Sequence, residues 1–193
     1  MNIHFLKRWS PLYIYGANSI NDRELLKTPI CSFDAKTGIL CSKCESKFKS
    51  GHLSVGDIEA AMKLTELADK KNIIDKFTLV GAHKIDEELI LILPTSDISI
   101  LRSNMELLNY IKKGFNNSVW FIESGATERR FIENLIFPVK IVSINLVWLP
   151  DGNKLTKIII SKKKNQNTKI DTKLVTKIAK EIRNIELLVE FID

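Results

Sequence analysis

The sequence predicts an α+β protein with two small modules, each a three-stranded sheet covered by helices, preceded by a cysteine-rich knuckle and a helix. Short aliphatic runs alternate with amphipathic segments from residue 77 onward, which is typical of mixed sheet-and-helix modules. A chain of 193 residues has room for two or three small cores, each near the lower size limit for independent folding. All three cysteines lie between positions 31 and 44, which sets that segment apart from the rest.

Residues 1–28 are predicted to form an N-terminal arm. This arm carries Trp9, Tyr13 and Tyr15. We expect these aromatic side chains to pack against the protein's own core or a partner protein more readily than to stack on bases. Residues 29–72 follow as the knuckle plus a helix. That helix is predicted after Ser54, because a capping pattern there precedes apolar residues at helical spacing up to about Lys71.

The first module is assigned to residues 73–124. Its expected elements are strands at 77–80 and 88–93 joined by a charged turn at 84–87, a helical turn at 97–101, a second helix begun by a capping box at 103–106, and a strand at 118–123. The second module, residues 125–193, repeats the pattern. It has a helix at 126–137, a hairpin of strands 139–149 and 155–161 about Asp151-Gly152, a helix at 171–184 and a closing strand at 186–192.

Net charge is +6, but it is unevenly placed. Residues 1–52 hold eight Lys/Arg against four Asp/Glu, residues 53–139 ten against thirteen, and residues 140–193 eleven against six. Two basic ends beside an acidic middle favour a phosphate-bearing partner, although lysine-rich surfaces also serve solubility. No apolar run reaches the ~18 residues of a membrane span, and the first residues lack a signal-peptide core, so we expect a cytoplasmic protein without membrane contact.

The cysteine segment predicts a structural zinc site. Cys31-x2-Asp34, six residues, and Cys41-x2-Cys44 form two knuckles of the same internal spacing, and three thiolates with one carboxylate make a closed tetrahedral set. His52 is the competing fourth ligand. Three alternatives remain open, namely a former site that has lost its metal, a thioredoxin-like redox pair and, as a minority interpretation, disulfides.

The doubled module resembles the pair of KH modules in the NusA transcription factors, especially the compact archaeal NusA-like proteins. The resemblance covers roughly residues 77–193. The clearest local similarity is the segment Asn134-Leu135-Ile136-Phe137-Pro138 followed by Val139-Lys140-Ile141-Val142-Ser143. It implies KH modules of type II and an RNA-binding protein acting in transcription elongation or termination.

The chain departs from that family at the Gly-x-x-Gly loop, through which a KH module clamps the nucleic-acid backbone. Arg102-Ser103-Asn104-Met105 stands there in the first module, and no such loop follows Ser161 in the second. We therefore expect RNA binding mainly through phosphate contacts. The candidate residues are Arg102, Ser103, Asn104, Lys162, Lys163, Lys164 and Lys169.

We expect no catalytic role and no small-molecule substrate, because the three histidines are scattered and no phosphate-binding glycine motif is present. The alternative function is a docking factor on RNA polymerase or the ribosome that uses the modules as a scaffold and the knuckle, the arm and the basic ends as contacts.

Overall fold

The computed structural model describes residues 26–116, 118–150, 152–161 and 170–192. In these ranges the chain forms seven α-helices, one short 3-10 helix and two three-stranded sheets, which confirms the α+β class. The predicted arm lies almost wholly outside the described residues, as do Lys162, Lys163, Lys164 and Lys169. In chain order the elements are α1 (Ser32–Thr37), α2 (Ser42–Lys49), α3 (Val55–Lys70), the 3-10 helix (Asn72–Lys76), β1 (Gly81–Ile85), β2 (Glu88–Leu93), α4 (Thr95–Ser103), α5 (Met105–Gly114), β3 (Val119–Glu123), α6 (Glu128–Ile136), β4 (Ile141–Trp148), β5 (Lys154–Ser161), α7 (Thr172–Arg183) and β6 (Glu186–Ile192).

The two sheets share one topology. In the first, β2 pairs antiparallel with β1 and parallel with β3. In the second, β5 pairs antiparallel with β4 and parallel with β6. The parallel pairing requires a helical crossover, which α4 and α5 supply in the first sheet, whereas α7 lies between β5 and β6.

Side chains of the first sheet alternate between two cores, as the two-residue period of a strand requires. Leu89, Leu91 and Leu93 of β2 point into the core formed with α3, α4 and α5, whereas Ile90 between them points into a second core. That second core also contains Phe131 and residues of α7 and β5. The first sheet is therefore buried on both faces, and its second face joins the two halves of the chain.

Helix α3 begins at a full capping box, as the sequence predicted. The Ser54 hydroxyl accepts the Asp57 N–H at 3.0 Å, and the Asp57 carboxylate accepts the Ser54 N–H at 2.7 Å. The same two side chains also reach the outer edge of β1, where Asp57 accepts the Ala82 N–H at 2.6 Å and Ser54 donates to the Ala82 carbonyl at 3.0 Å. The helix terminus thus covers part of an edge strand that would otherwise leave backbone groups unpaired.

The predicted strand at 77–80 is wrong, since β1 begins at Gly81. Phe77 and Leu79 are buried, but their backbone groups bond to Lys27, where Phe77 accepts and Leu79 donates. The turn is also shorter than expected, because Ile85 pairs with Glu88 across a two-residue loop in which Asp86 adopts a positive φ of 52°.

The predicted capping box at 103–106 is wrong as well. Ser103 is the last residue of α4, and its hydroxyl donates to the Ile100 carbonyl. Asn104 is the actual N-cap of α5, and its side-chain oxygen accepts the Leu107 N–H at 3.0 Å.

None of the helices in the described part of the chain is long and apolar enough to cross a membrane.

Candidate metal centre and nucleic-acid interface

The cysteine segment folds as two short helices whose starts face each other. Cys31 is the N-cap of α1 and Cys41 the N-cap of α2, with backbone angles of −71°, 156° and −70°, 162°. Each carbonyl accepts the N–H four residues on, at 3.0 and 2.8 Å. The equal spacing seen in the sequence thus corresponds to equal backbone geometry, although the two helices themselves were not predicted.

Gly38 links the two half-sites. It ends α1 in the left-handed conformation, with φ 73°, and its N–H donates to the Asp34 carbonyl at 2.9 Å. Residues with a side chain rarely adopt this φ, so glycine permits the sharp reversal that brings Cys41 back toward Cys31.

The four predicted ligands come together. The sulfur atoms of Cys31, Cys41 and Cys44 and a carboxylate oxygen of Asp34 all lie within 4.8 Å of one another, close enough to hold a metal ion. A tetrahedral zinc site with ~2.3 Å Zn–S bonds has sulfurs about 3.8 Å apart, so small side-chain movements would complete it. His52 lies outside this cluster, is exposed, and has its Nδ1 paired with the Ser50 hydroxyl at 2.8 Å. Geometry therefore favours Asp34 over His52 as the fourth ligand.

The Asp34 carboxylate fits a metal ligand in a further respect. It is fully buried, and its Oδ2 accepts the Cys41 N–H at 3.0 Å, while its Oδ1 has no hydrogen-bond partner among the described residues. The thiols beside this buried carboxylate are weak donors, and a cation would satisfy it better. Oδ2 is thus held by the second half-site while Oδ1 remains available to the ion.

In the absence of a cation, a thiol contact shapes the acidity of the cluster. The Cys44 thiol beside Asp34 lowers the pKa of that carboxyl to about 2, and Asp34 in turn raises the pKa of the Cys44 thiol to about 12. A divalent ion held by these residues would reverse the second effect, because metal ions bind thiolates and displace their protons.

The second candidate site is a cavity of about 220 Å³ beside β3, which we call the β3 groove. Two cations line it, Arg102 from the last turn of α4 and Lys112 from α5. Its other side is formed by the end of α6 and the segment after it. The lining also includes Trp120, Phe121, Asn134 and Phe137, together with one carboxylate, Asp171, whose Oδ1 accepts the Leu174 N–H at 3.1 Å.

Arg102 spans this groove. Its guanidinium donates to the Asn134 side-chain oxygen and stacks over the Phe137 ring, with 4.9 Å to the ring centroid. Burial, reinforced by the nearby Arg130, lowers the pKa of Arg102. Burial alone lowers the pKa of Lys112. Among the described residues, neither cation forms an ion pair, and the buried Asn134 Nδ2 lacks an acceptor.

The structure thus separates the predicted nucleic-acid residues. Arg102 lies in the groove, Ser103 is exposed at the end of α4, and the Asn104 side chain is engaged in capping α5. Lys112 and Asn134 were not among the residues predicted from the sequence. A signal was present, because Lys112 follows the apolar Leu108 by four residues and Asn134 follows Phe131 by three, so each polar side chain lies on an apolar helix face.

No protein-family model and no curated protein matches the chain. Among solved structures, the crystal structure of APE1850 is similar to 66% of this chain and 95% of that chain, at 14% identity and a TM-score of 0.40. A likeness of this degree assigns neither a family nor an activity to the protein.

Proposed function

We propose that the protein binds RNA, and that the β3 groove holds the strand mainly through its phosphates. The observation that carries this proposal is the pair Arg102 and Lys112, two part-buried cations that line one cavity and form no direct ion pair among the described residues.

Such a pair destabilises the ligand-free protein and favours an anion. Burial takes part of the hydration from each cation and lowers the pKa of both. Glu123 and Glu133 offset this effect only in part at Arg102, because both are paired with Arg130. A phosphate would restore the balance, since a guanidinium bonds two phosphate oxygens at once and an ammonium adds a point charge.

The walls of the groove suit a single strand better than an isolated phosphate. Trp120, Phe121 and Phe137 supply aromatic surface on which unpaired bases stack. Strand β3 is the last of its sheet, so in the described part of the chain one of its edges has no strand partner.

The KH-type interpretation draws support from the order of elements. A helix, two strands, two helices and a strand run from α3 to β3, and the turn at Asn104 between α4 and α5 lies two residues after Arg102, which lines the groove. Because this turn lacks glycine, we propose that the Arg102 side chain replaces the usual backbone clamp, with little sequence readout. By the resemblance to NusA, the proposed setting is transcription elongation or termination, and we propose no catalytic role.

The test is RNA affinity at several salt concentrations for Arg102→Ala and Lys112→Ala. Each variant should bind single-stranded RNA more weakly, and its slope of log affinity against log salt should fall by ~0.7, the value for one lost phosphate contact. Lys113→Ala is the matched control, because Lys113 is the next residue of α5 but is exposed. Equal effects of all three variants, or none, would refute the groove.

We propose zinc as the ion of the metal cluster, in a structural role. Three soft thiolates with one carboxylate suit zinc, and four protein ligands leave no open position for catalysis. Elemental analysis of untagged protein, prepared without chelator, should give about one zinc per chain. Metal far below stoichiometry would refute this assignment.

A second candidate function is docking on RNA polymerase or the ribosome. Phe33 and Ile39, close in sequence to Cys31 and Cys41, are 65% and 71% exposed, which favours a contact with another macromolecule. Co-sedimentation with either assembly should then be lost in Phe33→Ser/Ile39→Ser, while RNA affinity stays unchanged.

A further inference from the structure

The four residues of the metal cluster differ sharply in their access to solvent. Asp34 is fully buried and Cys44 is 3% exposed, whereas Cys31 is exposed and Cys41 is partly exposed. A small reagent in solution therefore reaches the two outer thiols first. These two are the N-caps of the facing helices, and they come from different half-sites.

We propose that Cys31 and Cys41 are a peroxide-sensitive pair whose oxidation to a disulfide releases the metal. The inference rests on the proposed zinc occupancy and adds an oxidative modification site to it. It concerns the metal cluster alone and is independent of RNA binding at the β3 groove.

The reaction balances with a hydroperoxide as the oxidant. The Cys31 thiolate attacks one peroxide oxygen, the O–O bond breaks, and a sulfenic acid and water form, with a proton taken from solvent. The Cys41 thiolate then attacks the Cys31 sulfur, the S–S bond forms, and hydroxide leaves as water after taking a second proton. The two sulfurs together lose two electrons, and hydrogen peroxide becomes two water molecules.

Exposure selects this pair over Cys41 and Cys44, because the same 4.8 Å limit holds between all three sulfurs. The two outer sulfurs lie within 4.8 Å of each other, so side-chain rotation with a small backbone shift brings them to bonding distance. The intervening loop contains Gly38, which tolerates such a shift. Cys44 is buried and contacts Asp34, which shields it from the oxidant.

Loss of the outer pair leaves only Asp34 and Cys44 as protein ligands. Two ligands do not hold zinc against water, because structural zinc sites use four. The ion should leave in step with disulfide formation, and reduction with added zinc should restore the original site.

The experiment treats zinc-loaded full-length protein with hydrogen peroxide in the presence of a chromogenic zinc chelator. Zinc content is measured beforehand, so a chain without metal refutes the zinc assignment and not the pairing. We expect one zinc released per chain, a mass loss of two hydrogens, and a peptide map that joins Cys31 to Cys41. Release without a disulfide, or a link between Cys41 and Cys44, would overturn the proposal.

Cys31→Asp sharpens this test, because it copies into the first position the carboxylate that the fold already accepts at Asp34. The variant keeps four anionic ligands but has no outer thiol pair, so the peroxide-dependent part of its zinc release, measured against a sample without peroxide, should be at least about tenfold slower. Release at the parental rate would overturn the proposal. If the variant fails to fold, the peptide map of the parent protein decides.

Discussion

The metal cluster and the β3 groove are incomplete in opposite senses. The cluster gathers three thiols and a carboxylate that bind as anions, and it contains no cation among its own residues. The groove gathers Arg102 and Lys112, which form no direct ion pair in the described part of the chain, and its one lining carboxylate, Asp171, caps α7. Grouping like charges in this way lowers the stability of the ligand-free protein. Each site is therefore expected to bind a ligand of the opposite charge.

The two sites also differ in how they are assembled. Every member of the cluster lies within residues 31–44, and two N-caps with matching backbone angles place the ligands. The groove takes its walls from α4, α5, β3 and α6, so its geometry depends on the packing of the whole first sheet. A local site is expected to fail when one ligand is lost, whereas a site made by packing is expected to weaken gradually.

The largest effect should come from Asp34→Asn. The amide keeps the shape of the side chain but removes its charge, so the buried oxygen facing the ion becomes a weaker ligand. We expect zinc affinity to fall at least roughly tenfold, as measured by competition with a chromogenic chelator. Asp69→Asn, an exposed carboxylate outside the cluster, is the control and should bind zinc as the parent does.

The converse variant Asp34→Cys should strengthen the site. It completes two identical Cys-x-x-Cys half-sites, and a fourth thiolate is a softer ligand for zinc than a carboxylate. Higher affinity in Asp34→Cys together with lower affinity in Asp34→Asn would establish Asp34 as a ligand. Unchanged zinc affinity in both variants would mean that Asp34 is not the fourth ligand.

The same contrast explains what the sequence predicted. The four ligands of the cluster were identified because their spacing is local and a helix N-terminus at each half-site keeps that spacing. Lys112 and Asn134 were not identified as a pair of groove residues. No local pattern connects positions 22 residues apart, and only the packing of α5 and α6 around β3 brings them together.

The order of strands and helices from β1 to β6 was predicted, because apolar periodicity reports burial. The errors in the predicted element boundaries have a common cause. Phe77 and Leu79 are as apolar as strand residues, but their backbone partner is the distant Lys27. Ser103 and Asn104 are both good caps, and the turn between α4 and α5 selects Asn104. Choices between equivalent local options depend on tertiary contacts.

A smaller effect is expected from reversing Lys162, Lys163 and Lys164 to Glu. If these lysines, which lie outside the described residues, add phosphate contacts, the slope of log RNA affinity against log salt should fall by ~0.7 for each lost contact. Reversing three dispersed exposed lysines, Lys27, Lys76 and Lys113, gives the same net charge and should preserve more of the slope. An equal fall of the salt slope in both triple variants would mean that overall charge, and not these particular lysines, determines the effect.

The smallest effect in energy, yet the sharpest for the groove, is expected from Lys112→Met. Burial lowers the pKa of Lys112, so at neutral pH the folded state holds a partly desolvated ammonium that the unfolded chain hydrates freely. Methionine fills a similar space and has no charge to desolvate. The variant should therefore be more stable by under about 1 kcal/mol, since the site is only partly buried. As pH rises through the lowered pKa toward the ordinary ~10.4, the native lysine sheds its proton and the advantage of methionine should shrink.

The same variant should bind RNA more weakly, so stability and affinity should move in opposite directions. Urea unfolding at pH 7 and pH 10, together with RNA titrations at constant salt, measures both. Lys113→Met, on the exposed side of α5, is the control and should change neither by much. Weaker RNA binding accompanied by lower stability would mean that Lys112 serves the packing of α5, and it would refute the proposal that Lys112 is an unpaired cation kept for phosphate.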